Sequence, residues 1–145
     1  MPTYRAVDVR DCQGTLWALY REFEGRAVAS FEGDLSELRL SEIPGAFCDE
    51  TGALKRQTLE PELDFCVVPI DAETVSLLKA ALSSKGLLGG DGKVVHTQLQ
   101  VEGELIFSAC DNFHSECTVV SPRVAEEFLS SLKRQGLLRS YSAGY

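Results

Sequence analysis

Between positions 124 and 132 apolar side chains recur every fourth residue, at Val124, Phe128 and Leu132, and Ala125 and Leu129 widen the stripe. That spacing predicts a helix with one buried face. Ser121 stands where a side chain can accept the free N–H groups of a first turn, and Pro122 follows at the first helical position. Glu126 and Glu127 fall near the positive end of the helix dipole, Lys133 and Arg134 near the negative end, and Gly136 offers a left-handed stop. Just upstream the pattern reads as a strand (105–110), a polar corner (111–116) and a short extended run (117–120).

A second helix is predicted over 72–85, capped by Asp71, buried through Val75, Leu78 and Leu82, and ended by Gly86. Its cap, late core leucine and Gly-Leu-Leu tail (86–88) lie fifty positions before Ser121, Leu132 and the Gly-Leu-Leu of 136–138. The glycines at 86, 89, 90 and 92 follow a helix instead of opening one, and no Lys-Ser/Thr pair comes after them, so they read as a turn and not as a phosphate loop.

The N-terminal half is more ambiguous. Residues 4–9 read as a first strand. Over 15–23, Leu16, Leu19 and Phe23 have helical spacing with Gly25 as a stop, whereas Thr15, Trp17, Leu19 and Phe23 share one face of a strand. Gly14 and the β-favouring Thr, Trp, Tyr and Phe tip the balance to strand, with Glu24-Gly25 as a hairpin turn. Ala27, Ala29 and Phe31 alternate as a strand over 26–31, and 32–34 breaks it before 35–40. The longest loop is expected at 41–52. Residues 56–70 look extended, interrupted at Pro61, and the apolar run 65–68 suits a central strand.

These elements give an α+β fold: a mainly antiparallel sheet with two helices packed on one face. The order β-α-β-β-α-β over about 62–142 is that of a ferredoxin-like split βαβ unit, with extra N-terminal strands. The length suits a single globular domain, 1–145, which at this size buries roughly 68% of the surface of its unfolded chain.

Composition narrows the function classes. The net charge of −8 repels a phosphate backbone, and no basic stripe with interleaved aromatics appears, so nucleic acid is disfavoured and a basic protein partner is favoured. No apolar run could span a bilayer, and no signal-peptide pattern opens the chain; the expected location is cytoplasmic. The five cysteines, at 12, 48, 66, 110 and 117, then read as free thiols.

One cluster could carry chemistry: Cys110-Asp111-Asn112-Phe113-His114-Ser115-Glu116-Cys117. Cys110, His114 and Cys117 are donors that zinc accepts, with His96, Asp111 or Glu116 as a fourth. Whether His96 joins them depends on the hairpin. A two-residue turn at Glu102-Gly103 sets His96 against Ala109, facing away from Cys110; a three-residue turn sets it against Cys110 on the same face. A catalytic reading makes His114 a general base, Cys117 or Cys110 the nucleophile and Asp111 or Glu116 the orienting group, although the nearby acids oppose a thiolate. The structural reading assigns Asp111 and Asn112 to turn formation, Phe113 to anchoring and His114 to bridging loop carbonyls. The sequence thus favours a noncatalytic, acidic protein-binding module of inhibitor, immunity or regulatory type that needs no cofactor. The alternatives are a small thiol- or zinc-dependent enzyme at this corner, and a ligand-binding or self-associating domain, the last allowing a homo-oligomer.

Overall fold

Asp11 turns the chain from strand to helix, its carboxylate accepting the Gly14 N–H at 2.9 Å. The computed structural model describes residues 4–83, 87–89 and 92–142. In chain order the described elements are β1 (Arg5–Val9), α1 (Cys12–Phe23), β2 (Ala27–Gly33), β3 (Asp64–Ile70), α2 (Ala72–Leu82), β4 (Val94–Val101), β5 (Glu104–Ala109), β6 (Thr118–Val120), α3 (Glu126–Arg134) and β7 (Leu138–Tyr141). The fold is α+β. Its seven strands form one sheet in the order β3-β2-β4-β5-β6-β1-β7, and every pairing is antiparallel.

One face of that sheet carries the main core. Val7, Ala29, Phe31, Val68, Leu99, Phe107 and Val120 pack with Leu16, Leu19 and Tyr20 of α1, Leu78 and Leu82 of α2, and Leu129 and Leu132 of α3. Three helices therefore share the face, where two were expected. The third is the segment 15–23, whose strand reading is corrected: Leu16, Leu19 and Tyr20 are buried at helical spacing, Asp11 caps the first turn, and Gly25 leaves the helix at φ +85°. Burial of that stripe outweighs the β preference of Thr15, Trp17 and Tyr20.

Helix α3 also starts later than its cap signal suggests. The Ser121 hydroxyl accepts the Arg123 N–H at 3.1 Å and its carbonyl accepts the Val124 N–H at 3.0 Å. Ser-Pro here closes a separate turn, with Pro122 at the position where its fixed φ suits a turn. Ala125 is then extended, with no side-chain cap, before Glu126 begins the helix. The end matches expectation: Gly136 is left-handed at φ +78°, and the N–H groups of Gly136 and Leu137 return to Lys133 O and Leu132 O, both at 3.0 Å, a paired closure of the last turn. Asp71 caps α2 as expected, reciprocally with Thr74; the stop assigned to Gly86, and Gly90 of the turn, lie outside the described residues.

The ferredoxin-like arrangement is not what the strands adopt. In that motif the last strand lies beside the first, whereas β3 and β7 form opposite edges here, with β2 beside β3 and β1 beside β7. The apolar run 65–68 is accordingly an edge strand and not a central one. Its second face is nevertheless covered, because Phe65 and Val67 pack under Leu54 in a smaller cluster, and its outer edge is bridged by Phe47. Both contacts come from the thirty-residue connection 34–63, whose only helical turn is Leu40–Glu42. Residues 35–40 form no strand.

Candidate functional site

The second face of the sheet is polar beneath this connection. Pairing sets Ser30 and Glu32 of β2 beside Gln98 and His96 of β4, and all four are buried. A loop laid over a sheet brings backbone N–H groups that need acceptors, and these side chains supply them. Glu32, only 1% exposed, accepts the Gln57 N–H at 2.7 Å through one carboxylate oxygen and the Thr58 N–H at 3.1 Å through the other. Gln98 accepts the Lys55 N–H at 3.1 Å, and Gln100 takes the Thr51 hydroxyl.

His96 joins this connection to the Cys110–Cys117 corner. The hairpin turn is the two-residue Glu102-Gly103, with both φ values positive at 53° and 82°. Val101 pairs with Glu104, yet a bulge then shifts the register so that Leu99 faces Phe107 and Thr97 faces Ala109. His96 therefore comes opposite Cys110, the pairing expected of a three-residue turn, although the turn itself has two residues and the bulge supplies the shift. Its Nδ1 accepts the Asp111 N–H at 2.9 Å, and its Nε2 lies 2.7 Å from Thr58 Oγ1. With Nδ1 an acceptor, the ring proton resides on Nε2 and is donated to the threonine. The Thr58–His96 pair thus holds the tautomer opposite to that of a base activating a hydroxyl, and neither ring nitrogen offers a free lone pair to a metal.

The corner itself turns left-handed over three residues, Asp111, Asn112 and Phe113, at φ 51°, 56° and 63°. Such a conformation costs L-residues about 1–2 kcal/mol each. It is offset by the buried Phe113 ring, 6.3 Å from that of Phe107, by Asn112 Nδ2 donating to Gly92 O at 2.8 Å, and by the Asn112 N–H donating to Val95 O at 2.7 Å.

The corner brings Cys110 and Cys117 together, but the other candidates are engaged elsewhere. His114 is exposed, its Nδ1 accepting the Glu116 N–H at 3.1 Å. The Cys117 thiol donates to Cys110 O at 3.1 Å and the Cys110 thiol to Gln57 Oε1 at 3.6 Å. Burial, then the neighbouring Cys110 and Asp111, push the Cys117 thiol above its ordinary pKa, which opposes a thiolate nucleophile. Asp111 is exposed and uses its N–H, not its carboxylate, toward His96. Among the described residues no three His, Cys, Asp or Glu side chains converge to hold a metal ion, and no helix is long and apolar enough to cross a membrane.

Glu32, Gln98, Gln57 and Thr58 escaped the sequence reading. The signal available was the alternation of His96, Gln98 and Gln100 on a strand, but that pattern is ordinarily a solvated face. Only the loop above it turns these residues into buried partners. The outer surface of that loop is also distinctive. The connection 34–63 holds seven acidic residues against three basic ones, half of the chain's net charge of −8. At its tip Leu59 is 80% exposed, between the backbone anchor at Thr58 and the acidic Glu60 and Glu62. No family model, curated protein or solved structure matches this chain.

Proposed function

We propose that this is a noncatalytic protein-binding module that presents its acidic connection to a basic partner. One observation carries the reading: Glu32, His96 and Gln98 are spent, beneath the sheet's covering loop, on fixing residues 55–58, next to an exposed leucine flanked by acids. Long loops without secondary structure are uncommon in compact folds and are frequently functional. A loop prefixed by buried hydrogen bonds meets a partner with little ordering cost. Leu59 supplies an apolar anchor, and the surrounding carboxylates speed encounter with a cationic surface and reject an acidic one. The neutral His96 tautomer and the disfavoured Cys117 thiolate support the same reading over a thiol- or metal-dependent enzyme.

The test is a comparison of variants in binding to whichever protein co-purifies with the intact chain. Leu59→Asp and the pair Glu60→Lys with Glu62→Lys should each weaken that complex at least tenfold, the charge pair chiefly through slower association at low salt. His114→Ala should leave it unchanged. Loss of binding in His114→Ala with full binding in Leu59→Asp would refute this assignment and return attention to the corner.

A further inference from the structure

Two cysteines face each other across the outer edge of β3. Phe47 and Val67 exchange both backbone hydrogen bonds, at 3.0 and 2.7 Å, as an antiparallel bridge. The bridge is isolated, and carrying its register one step further makes Cys48 and Cys66 the next pair, at the non-hydrogen-bonded position with both side chains toward one face. In a regular antiparallel ladder Cα atoms at such a position lie about 4.5 Å apart and side chains approach most closely, within the span of about 4.4–6.8 Å that disulfides adopt. The Cys48 thiol lies close enough to Cys66 to add to the rise of the buried thiol's pKa. Cys66 is 3% exposed while Cys48 is open to solvent at the rim of a cleft that both line. A reagent can thus reach Cys48 directly, and Cys66 only by way of its partner.

We propose that Cys48 and Cys66 are a reversible thiol–disulfide pair that, when oxidised, clamps the acidic connection to the sheet edge. The oxidant is a small disulfide of the glutathione type. Cys48, as thiolate, attacks one of its sulfurs, forming a mixed disulfide and releasing one small thiol. Cys66 then gives its proton to solvent and attacks the Cys48 sulfur, expelling the second small thiol. Two protein thiols become one protein disulfide, and one small disulfide becomes two thiols. Burial raises the Cys66 thiol to about 11, so the resolving step is slow near neutrality and quickens as pH rises. The bridge closes the segment carrying Leu59, Glu60 and Glu62; its bearing on partner binding rests on the function proposed above, whereas the bridge itself does not.

The experiment equilibrates the full chain, free of partner, with oxidised and reduced glutathione over a range of ratios, quenches it by alkylation, and maps peptides without reduction. The expected product is a 48–66 bridged peptide that appears as the ratio becomes oxidising and disappears on return. Oxidised chain cleaved by trypsin after the exposed Lys55 should stay joined until reductant is added. Cys48→Ser, a substitution at an exposed site, should retain the native circular dichroism and leave Cys66 unmodified at every ratio. The proposal is overturned if Cys48 accumulates as a lasting mixed disulfide, if both thiols remain reduced throughout, or if Cys110–Cys117 is the bridge that forms. Because no partner is present, failure here leaves the Leu59 reading intact, and failure of that reading leaves the bridge intact.

Discussion

Replacing Glu32 by Gln isolates the role of the buried carboxylate. The two side chains have nearly the same shape, so packing against β2 and β4 is conserved. Both carboxylate oxygens accept a backbone N–H, from Gln57 at 2.7 Å and Thr58 at 3.1 Å, whereas an amide keeps one acceptor and turns the other into a donor. One of the two N–H groups then meets an NH2 group and has no partner. Losing a hydrogen bond to a charged group and leaving a part-buried donor unsatisfied overlap in what they measure, and together cost about 2–3 kcal/mol. For a chain of this size that corresponds to a fall in Tm of roughly 4–12 °C. Urea unfolding gives the total, and amide exchange resolves its location: Gln57 and Thr58 should lose protection while the amides of β2 and β4 stay slow up to the new global limit. A Glu32→Gln protein within about 0.5 kcal/mol of wild type, with Gln57 and Thr58 still protected, would refute the claim that this residue holds the connection in place.

Other expectations follow from the same geometry. His96→Phe fills the ring's space but removes the acceptor of the Asp111 N–H and the donor to Thr58; urea unfolding should show a loss of about 1–3 kcal/mol, with faster exchange at Asp111. Gly136→Ala, forced to φ +78°, should lower stability by about 1–2 kcal/mol, read from the same titration. Burial, with Asp11 also acting on Cys12 and Cys48 on Cys66, raises the Cys12 and Cys66 thiols from 9.0 to about 11. The native state then keeps protons that the unfolded chain has already released, so stability is full below pH 9 and declines as pH climbs toward 11. Urea midpoints across that window should fall, and less steeply in Cys66→Val; an equal slope would exclude Cys66 as a contributor. Leu59→Asp, at an exposed tip, should change stability by no more than about 0.5 kcal/mol, which separates any binding defect from misfolding.

How much of this was legible in the sequence follows from which interactions are local. The caps at Asp71 and Gly136, the buried faces of α2 and α3, and the alternating Ala27, Ala29 and Phe31 depend on neighbours within a few residues, and each was readable. Segment 15–23 misled because its aromatic and β-branched residues satisfy both periods; its decisive cap, Asp11, lies outside the segment weighed. Ser121-Pro122 misled in the opposite sense, since the same dipeptide opens a helix or a turn, and the extended Ala125 separates the two only in the fold. The hairpin register required two facts at once, a tight turn and a bulge beyond it. The corner was found as a cluster, but His96 owes its role to Thr58, thirty-eight positions away, across a connection whose path no periodicity records. Glu32 and Gln98 carried the pattern of a solvated strand face and became buried acceptors because that connection lies over them.

The most direct test of the central claim is site-specific photocrosslinking in cells, with a photoreactive side chain at Leu59 and, for comparison, at exposed Arg134 on α3. The account predicts that position 59 captures one basic protein, that Glu60→Lys with Glu62→Lys abolishes this capture, and that position 134 does not capture it. Equal capture of that protein from both positions, or capture that survives the charge reversal, would contradict the claim that the fixed acidic connection is the binding surface.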